Sequence, residues 1–409
     1  MYTDTKINKK SFLFVIIGFA CTWYFFFASS FTVRPYPQLF WIGMAAISVL
    51  FALIHNHKLS KVECLFFLGM TAILIISLFS SDPYDSFLTV ANYVIYFVVA
   101  RMVAKNCSAQ TVMRLILGFT LVHLACIFIQ VFIPDVYSAY ILPLLPERVH
   151  TQILEYALYS KSYFGFSVQT SMSAMYLCIG LILCALKLRN SSKTGSKLLY
   201  AVLSVLFVVG AFYTTRRGSI AVIFIIAALI YFKSKGSAFS KLLLVLTVLL
   251  FVSLIGLENI PGLGGVLDKF ETLIGRGSIM NGREKSFVRA FGIFLNKPVF
   301  GHGIGQIDNA LGYAWLENSY ILALVEGGII GAFALFTPYY VAIKDTVTAL
   351  KNKAANNHYV LFAVYIQIMF VLMSVIENYF ANPLNSFLFY LAFFASQKAL
   401  EEAANGVAE

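Results

Sequence analysis

Charged residues are scarce in this chain, and acidic residues are the scarcest. Only 12% of the 409 residues are charged, with 19 Asp and Glu against 30 Lys and Arg, whereas 60% are hydrophobic. A soluble domain carries about a quarter charged residues. Because the apolar excess extends over the whole length, the shortage of charge excludes an ordinary soluble enzyme and indicates membrane-spanning helices.

Motifs for redox, nucleotide and metal chemistry are also missing. The six cysteines form no CxxC pair, and none falls in a stretch expected outside the membrane, so neither disulfides nor a cysteine metal site are expected. The chain has no GxxxxGK[ST] loop, no HExxH and no D-x-D pair. We therefore expect an activity that uses no cofactor and no bound metal.

Apolar runs of spanning length predict about twelve transmembrane helices, since a bilayer core needs about 20 apolar residues per helix. The candidate spans are residues 11–30, 38–56, 62–80, 87–104, 111–133, 167–187, 197–215, 218–233, 241–257, 319–343, 358–376 and 384–400. The predicted fold is therefore an all-α polytopic membrane protein, with residues 1–409 forming one integral membrane domain. No clear cleavage site follows the first span, which is expected to be a retained anchor.

The distribution of Lys and Arg predicts the orientation of the chain. Roughly nineteen of the cations fall on the terminal segments and on alternate loops, and such a bias marks the cytoplasmic side. Both termini are therefore expected in the cytoplasm, with two long outer loops at about 134–166 and 258–318. Cations spread over alternate loops argue against a nucleic-acid partner, although the formal net charge is +11.

Two adjacent arginines lie at an outer boundary, where short loops ordinarily avoid cations. The turn TTRRGS, residues 214–219, joins two spans with almost no loop and carries Arg216 and Arg217. Both side chains could be snorkelling anchors at helix ends. Guanidinium groups also bind phosphate through a rigid bidentate fork. The adjacency and the outer side favour an anion site.

A second basic segment, NGREKSFVRAFGIFLNKPVFGHGIG at 281–305, lies in the second outer loop. Asn281 can cap a helix there, and Pro298 ends it. The glycines that follow predict a turn back to the membrane, because GxGxG alone is a weak phosphate signal. His302, between two of these glycines, is expected to be structural rather than catalytic.

The helix predicted in this segment is amphipathic and is expected at the outer membrane surface. One face, at helical spacing, carries Arg283, Phe287, Ala290 and Phe294. Lys285 and Arg289 share another face. These cations are candidates for binding a phosphate group at the lipid surface, and a solvated basic face is the alternative.

Glu317 is the candidate general base. It opens the apolar segment LENSYILALVEGGIIGAF at 316–333, expected just outside the bilayer on the same side as the arginines. A carboxylate near cations stays ionised and can accept a proton from an attacking hydroxyl. The alternative is a favourable charge at a helix N-terminus, with Asn318 or Ser319 as the cap.

Two further carboxylates are secondary candidates. Glu326 is about two turns deeper than Glu317 by helical spacing, so it should face protein or water rather than lipid. Buried pairing or protonation is its simplest explanation. Glu377, near Asn378 and Asn382, lies at another outer helix end and could serve the same cavity.

In their order and placement these motifs resemble the O-antigen ligase and polymerase superfamily of bacterial envelope membrane proteins. TTRRGSIAVIFI is similar to the T-x-S-R-G opening of a span in that family, which places the family arginine on Arg217. GREKSFVRAFGIFLNKPVFGHGIG resembles G-R-x-x-x-W followed by P-L-F-G-x-G, which aligns Arg283 and puts Phe287 at the aromatic position. ENSYILALVEGGIIG fits H-N-x9-G-x-x-G, except that Glu317 stands where ligases carry histidine.

The resemblance implies a C-type glycosyltransferase-like fold in the bacterial inner membrane. It also implies a donor glycan on undecaprenyl pyrophosphate at the periplasmic face, transferred without a metal. The expected partners are lipid-linked oligosaccharide and membrane lipid, with a chain-length regulator protein as a further candidate. Because Glu317 replaces the ligase histidine, the resemblance favours a polymerase that joins lipid-linked repeat units.

In that interpretation Arg217 and Arg283 bind pyrophosphate with help from Arg216 and Arg289, while Glu317 acts on the acceptor hydroxyl. The segment PERVHTQILEYAL at 146–158 in the first outer loop is a candidate for covering the cavity and contacting sugar. Two other functions remain open. One is an O-antigen ligase that transfers glycan to lipid A core. The other is a flippase or exporter of lipid-linked sugar, for which charge on both sides of the midplane would be expected.

Overall fold

The computed structural model describes residues 9–27, 37–54, 58–232, 283–306, 316–352 and 357–404. Their regular structure is helical, which confirms the predicted all-α class. Every expected span other than 241–257 coincides with a helix, and 241–257 lies outside the described residues. Most of the second outer loop, including Asn281, lies outside them as well.

The helices have bounds close to those expected. They are Lys9–Phe27 (α1), Pro37–Ile54 (α2), Lys61–Ser77 (α3), Pro83–Asn106 (α4), Ala109–Phe132 (α5), His150–Tyr159 (α6), Thr170–Asn190 (α7), Thr194–Tyr213 (α8), Arg217–Phe232 (α9), Arg283–Asn296 (α10), Ser319–Lys351 (α11), His358–Met373 (α12) and Pro383–Ala404 (α13). Four short helical turns, within residues 134–149, connect α5 to α6.

Five helices in the described part, α4, α5, α7, α8 and α11, are long and apolar enough to cross a membrane. Shorter apolar helices cover Leu13–Phe27, Leu39–Leu53, Gly218–Ile230 and His358–Met373. This architecture is consistent with a polytopic membrane protein. The number of twelve spans stays a prediction.

Local sequence signals explain where several helices begin. Ser60 and Glu63 form a reciprocal capping box at α3, which satisfies two of the amide groups left free at a helix start. Asp82 precedes α4 and accepts hydrogen bonds from the backbone amides of Tyr84 and Asp85 in its first turn, which begins at Pro83. Proline is tolerated at that position because its missing N–H has no helical partner there.

By contact density the chain divides into two compact units. The first comprises residues 1–25, 35–112 and 282–409, and the second comprises 26–34 and 113–281. The expectation of a single membrane domain is untested and stays a prediction.

The first unit is a helical bundle in which α13 packs along α4 and α3 packs along α11. Aromatic rings fill its centre, where Phe97 stacks on Phe66 at 3.8 Å between ring centroids and meets Tyr390 at 4.6 Å. Glu63 of α3 also forms an ion pair with Arg101 of α4. Pairing compensates for the cost of burying these two charges.

The second unit is organised around α7, which packs against α8 and α9. Most of α7 is buried, and the approach of α8 is close because position 180 is glycine. A Cβ atom at Gly180 would lie 2.2 Å from the Phe207 ring. Small residues of this kind let membrane helices pack closely.

Helix α11 folds back on itself, contrary to the straight span expected over 319–343. The rings of Tyr320 and Phe336 lie 5.4 Å apart between centroids, whereas sixteen residues of straight helix would separate their backbones by about 24 Å. The break is at Gly328, with φ 61° and ψ −166°, a conformation that glycine adopts readily. Residues 319–327 and 329–351 are therefore two arms, and the second is about 34 Å long, enough to cross a bilayer alone.

Candidate active site

Asn318 fixes the start of α11, as one of the two predicted caps. Its Oδ1 accepts hydrogen bonds from the backbone amides of Tyr320 and Ile321, both at 3.0 Å. Its side-chain amide donates to the carbonyl of Val375 at 2.8 Å, and its backbone N–H donates to Asn378 Oδ1 at 3.0 Å. One side chain thus caps the helix that follows Glu317 and ties it to the segment between α12 and α13.

Ser319 extends this connection to Glu377. Its backbone N–H donates to the carbonyl of Ser374 at 2.9 Å. Its hydroxyl donates to the carbonyl of Glu377 at 3.1 Å and accepts from the N–H of Phe380 at 3.1 Å. The structure therefore brings the chain at Glu317 together with the chain at Glu377, and a cavity shared by the two stays a prediction. Both glutamates are half-buried.

The break in α11 places Glu317 and Glu326 at different levels along α4, and their depths in a bilayer stay a prediction. The carbonyl of Phe380, beside Ser319, accepts a hydrogen bond from the Tyr93 hydroxyl at 2.9 Å. Tyr93 lies ten residues into α4, about 15 Å along it. The start of α11 therefore lies beside the middle of α4 rather than beyond its first residue.

Glu326 instead lies toward the turn between α3 and α4. Its carbonyl accepts a hydrogen bond from Gly303 N–H at 2.8 Å, and a Cβ atom at Gly303 would lie 2.2 Å from Ser80 in that turn. The cause is the break at Gly328, which sends the first arm of α11 back along the second. Glu326 is buried, with 6% of its surface exposed, which agrees with the expectation that it does not face lipid.

The glycine-rich segment after α10 is bound into the break of α11. Four backbone hydrogen bonds join them: Ile329 N–H to Pro298 O (2.9 Å), Ile330 N–H to Val299 O (3.2 Å), His302 N–H to Val325 O (3.1 Å) and Gly303 N–H to Glu326 O (2.8 Å). They satisfy backbone groups that a break would leave free, and such groups are costly within a membrane.

The glycines of this segment serve backbone packing. A Cβ atom at Gly301 would lie 2.3 Å from the carbonyl oxygen of Glu326, and one at Gly328 would lie 2.4 Å from the backbone of Val299. His302 has a structural contact too, because its Nε2 lies 3.2 Å from the carbonyl oxygen of Ile293. These contacts account for the FGHGIG pattern without a phosphate.

The end of the segment is bound to the outer turn between α3 and α4. Gln306 Nε2 donates to the carbonyl of Asp82 at 3.1 Å, and Gln306 Oε1 accepts from the Ser81 hydroxyl at 3.1 Å. The Ser86 hydroxyl donates to the carbonyl of Ile304 at 2.8 Å. No sequence pattern predicts these contacts, which join residues more than 200 positions apart.

Helix α10 packs on the first arm of α11 through the face predicted for it. Ala290 is buried in a cluster with Leu316, Leu322 and Val325, and Phe287 and Phe294 pack against that cluster. Lys285 and Arg289 are exposed. Arg283 is the first residue of α10, and its side chain lies outside the described part.

The Arg216–Arg217 turn belongs to the second unit. Arg216 Nε donates to the Thr170 hydroxyl at 2.6 Å. Thr215 has a positive φ of 52°, a backbone conformation that residues other than glycine rarely adopt. Its hydroxyl forms a hydrogen bond with the hydroxyl of Ser162. Arg217 begins α9, and its side chain lies outside the described part. Sequence reasoning missed Thr170 and Ser162, because isolated hydroxyl residues carry no pattern.

Residues 160–169, which connect α6 to α7, support this turn. Gln130 Oε1 accepts hydrogen bonds from the backbone amides of Phe164 and Gly165, both at 2.9 Å. The N–H of Tyr163 donates to the carbonyl of Tyr213 at 2.9 Å. Burial raises the pKa of the Tyr163 phenol, so this group stays neutral. The predicted sugar contact of 146–158, which includes α6, stays a prediction.

The candidate site residues fall into two groups, one in each compact unit. Glu317, Glu377 and α10 with Lys285 and Arg289 lie in the first unit, and the arginine pair at 216–217 lies in the second. Convergence of the two groups stays a prediction. Among the described residues no three His, Cys, Asp or Glu side chains come together as metal ligands would.

The helices are long and apolar, and one of them is broken at Gly328 and hydrogen-bonded there to a glycine-rich segment. This architecture is that of a polytopic membrane protein. Within it, residues 199–336 match the family model described as O-antigen ligase. This match confirms the predicted resemblance to the O-antigen polymerase and ligase superfamily. It covers Arg216, Arg217, Arg283, Glu317 and Glu326. The comparison with curated proteins gave no match.

Proposed function

We propose that this protein is a polymerase of lipid-linked oligosaccharide repeat units. The observation that carries the proposal is Glu317 at the capped start of α11, inside the matched region 199–336. The match supports a glycosyltransferase-like activity of the O-antigen ligase and polymerase type. The glutamate, which stands where the ligase pattern has histidine, favours the polymerase.

The proposed reaction transfers a growing glycan from undecaprenyl pyrophosphate to the next repeat unit. A hydroxyl oxygen of the incoming unit attacks the anomeric carbon of the growing chain. The bond between that carbon and the pyrophosphate oxygen breaks, and undecaprenyl pyrophosphate leaves with the electron pair. The hydroxyl proton passes to the carboxylate of Glu317, so a new glycosidic bond forms without a metal or a redox step.

Arginines would stabilise the charge on the leaving group. Preorganised cationic donors act strongly where charge develops during the reaction, and Arg217 and Arg283 would supply them. Arg216, oriented by its hydrogen bond to Thr170, and the exposed Arg289 of α10 would assist. Lys285 would add charge on the same face of α10 as Arg289.

The remaining carboxylates take second place as bases. Glu377 lies on the segment hydrogen-bonded to Ser319, so it is the next candidate after Glu317. Glu326 is buried at the break of α11. We propose a packing role for it.

The proposed location is the inner membrane of a bacterium, with both termini in the cytoplasm and the site at the periplasmic face. The excess of Lys and Arg on the termini and alternate loops supports this orientation. A lipid-linked donor would reach such a site from the membrane, and a chain-length regulator protein is a candidate partner.

O-antigen ligase is the second candidate, because the matched family model carries that description. The two activities share the donor and differ in the acceptor. Purified protein in lipid vesicles, supplied with a lipid-linked repeat unit, should produce a ladder of longer lipid-linked glycans. Transfer of glycan to added lipid A core without a ladder would indicate the ligase, and transport across the bilayer with no new bond would indicate a flippase.

Arg217→Lys is expected to lower the rate of polymer formation about a hundredfold, near 3 kcal/mol. Lysine keeps the charge but loses the bidentate fork that matches pyrophosphate. Arg189→Lys, in the last turn of α7 on the side predicted to be cytoplasmic, is the matched control and should retain the wild-type rate. A snorkelling anchor would tolerate lysine equally well, so a wild-type rate for Arg217→Lys, measured at equal protein level, would contradict the pyrophosphate role.

A further inference from the structure

Helix α10 has a third face that neither the packing on α11 nor the basic residues occupy. Val288, Phe291 and Leu295 are 74%, 56% and 58% exposed. Their spacing of three and four residues places them on one side of the helix. At about 100° per residue this side lies about a third of a turn from the packed face and a third of a turn from Lys285 and Arg289.

The exposed ridge continues onto the outward side of α11. After α10, Val299 and Phe300 are 46% and 59% exposed. The carbonyl of Val299 accepts a hydrogen bond from Ile330 N–H at 3.2 Å. Ile330 and Phe333 are themselves exposed, at 42% and 73%, and both belong to the arm of α11 that is long enough to cross a bilayer.

A continuous apolar strip of this kind marks contact with a partner or a membrane. The ridge adjoins the exposed side of the second arm of α11, which is long enough to span the bilayer. Such an arm faces acyl chains wherever protein does not cover it, so lipid is the occupant we infer for the ridge. The basic face adds charge complementarity, since cations beside a buried apolar face bind anionic lipid headgroups.

We propose that the exposed ridge of α10 faces the acyl chains of the outer leaflet of the bilayer. Val288, Phe291 and Leu295 lie among those chains, and Lys285 and Arg289 lie on a separate face of the helix. The strip formed by these apolar residues with Val299 and Phe300 is thus a lipid-docking surface. This inference goes beyond the proposed function, because it holds for any reaction at the neighbouring Glu317.

Tryptophan fluorescence tests the proposal with a control on the same helix. The three native tryptophans are replaced by phenylalanine, and a single tryptophan is introduced as Phe291→Trp on the ridge or Phe294→Trp on the packed face. In vesicles of phosphatidylglycerol brominated along the acyl chains, Phe291→Trp should be quenched several-fold more than Phe294→Trp. Aqueous iodide should quench Phe291→Trp little.

Two outcomes would overturn the lipid-docking surface. Strong quenching of Phe291→Trp by iodide with little effect of brominated lipid would place the ridge in water. Protection from both quenchers would place it under protein, such as a second copy of this chain. Leu295→Trp supplies a second ridge position if Phe291→Trp fails to fold, and it should give the same ratio of lipid to iodide quenching.

Discussion

Glu317→Gln is expected to reduce the turnover of lipid-linked repeat units by about a hundredfold or more, within the range typical of a lost general base. Glutamine keeps the size and hydrogen-bonding shape of the side chain but cannot take the proton from the acceptor hydroxyl. The hydrogen bonds of Asn318 and Ser319 do not involve this carboxylate, so the start of α11 should stay in place. Polymer formation by the purified variant is the measurement, with its melting temperature recorded alongside.

The matched control is Glu377→Gln, which alters the other half-buried carboxylate beside the hydrogen bonds of Asn318 and Ser319. A large loss at Glu317 with a small loss at Glu377 would assign the base to Glu317. If Glu317 were only a favourable charge at a helix start, glutamine would cost at most about 1 kcal/mol of stability and leave turnover unchanged. Normal turnover in Glu317→Gln would remove it from the mechanism and make Glu377 the next base to test.

Glu317→His tests whether proton acceptance or negative charge is needed at this position. Histidine restores the residue found in the ligase pattern, and its neutral imidazole can also accept a proton at neutral pH. Partial polymer formation by this variant would show that proton acceptance, rather than negative charge, is needed at the position.

Features decided by neighbouring residues could be predicted from the sequence. The amphipathic face of α10 and the cap at Asn318 follow from short-range rules of spacing and hydrogen bonding, and both are present. Apolar runs likewise located the helices, because burial in lipid depends on composition within one segment.

Features decided by contacts between distant residues could not be predicted. The bond between Arg216 and Thr170 joins residues 46 positions apart, and Asn318 meets Val375 across 57 positions. The break in α11 could not be recognised in the sequence, because Gly327 and Gly328 are not polar and so leave the apolar pattern of the segment unchanged. Two glycines in such a run are compatible with a straight helix, and only the segment bound at 298–303 distinguishes the folded one.

Gly328→Ala is therefore expected to be among the most damaging single substitutions in the described part of the chain. A positive φ with ψ near 180° is a conformation essentially restricted to glycine and costs other residues about 1–3 kcal/mol. Overpacking adds about 1–3 kcal/mol, since the new Cβ would lie 2.4 Å from the backbone of Val299. Gly331→Ala is the control on the same helix, because a Cβ there meets the Ile76 side chain at an ordinary 3.9 Å. It should be neutral or stabilising by up to about 1 kcal/mol.

The break at Gly328 also positions the residues proposed for activity. The four hydrogen bonds between 298–303 and α11 fix the segment that leads from α10, while the first arm of α11 places Glu317 beside Glu377. Gly328→Ala should therefore lower both the melting temperature and the yield of polymer, and Gly331→Ala should lower neither. Wild-type stability and turnover in Gly328→Ala would show that α11 is not folded back at this residue.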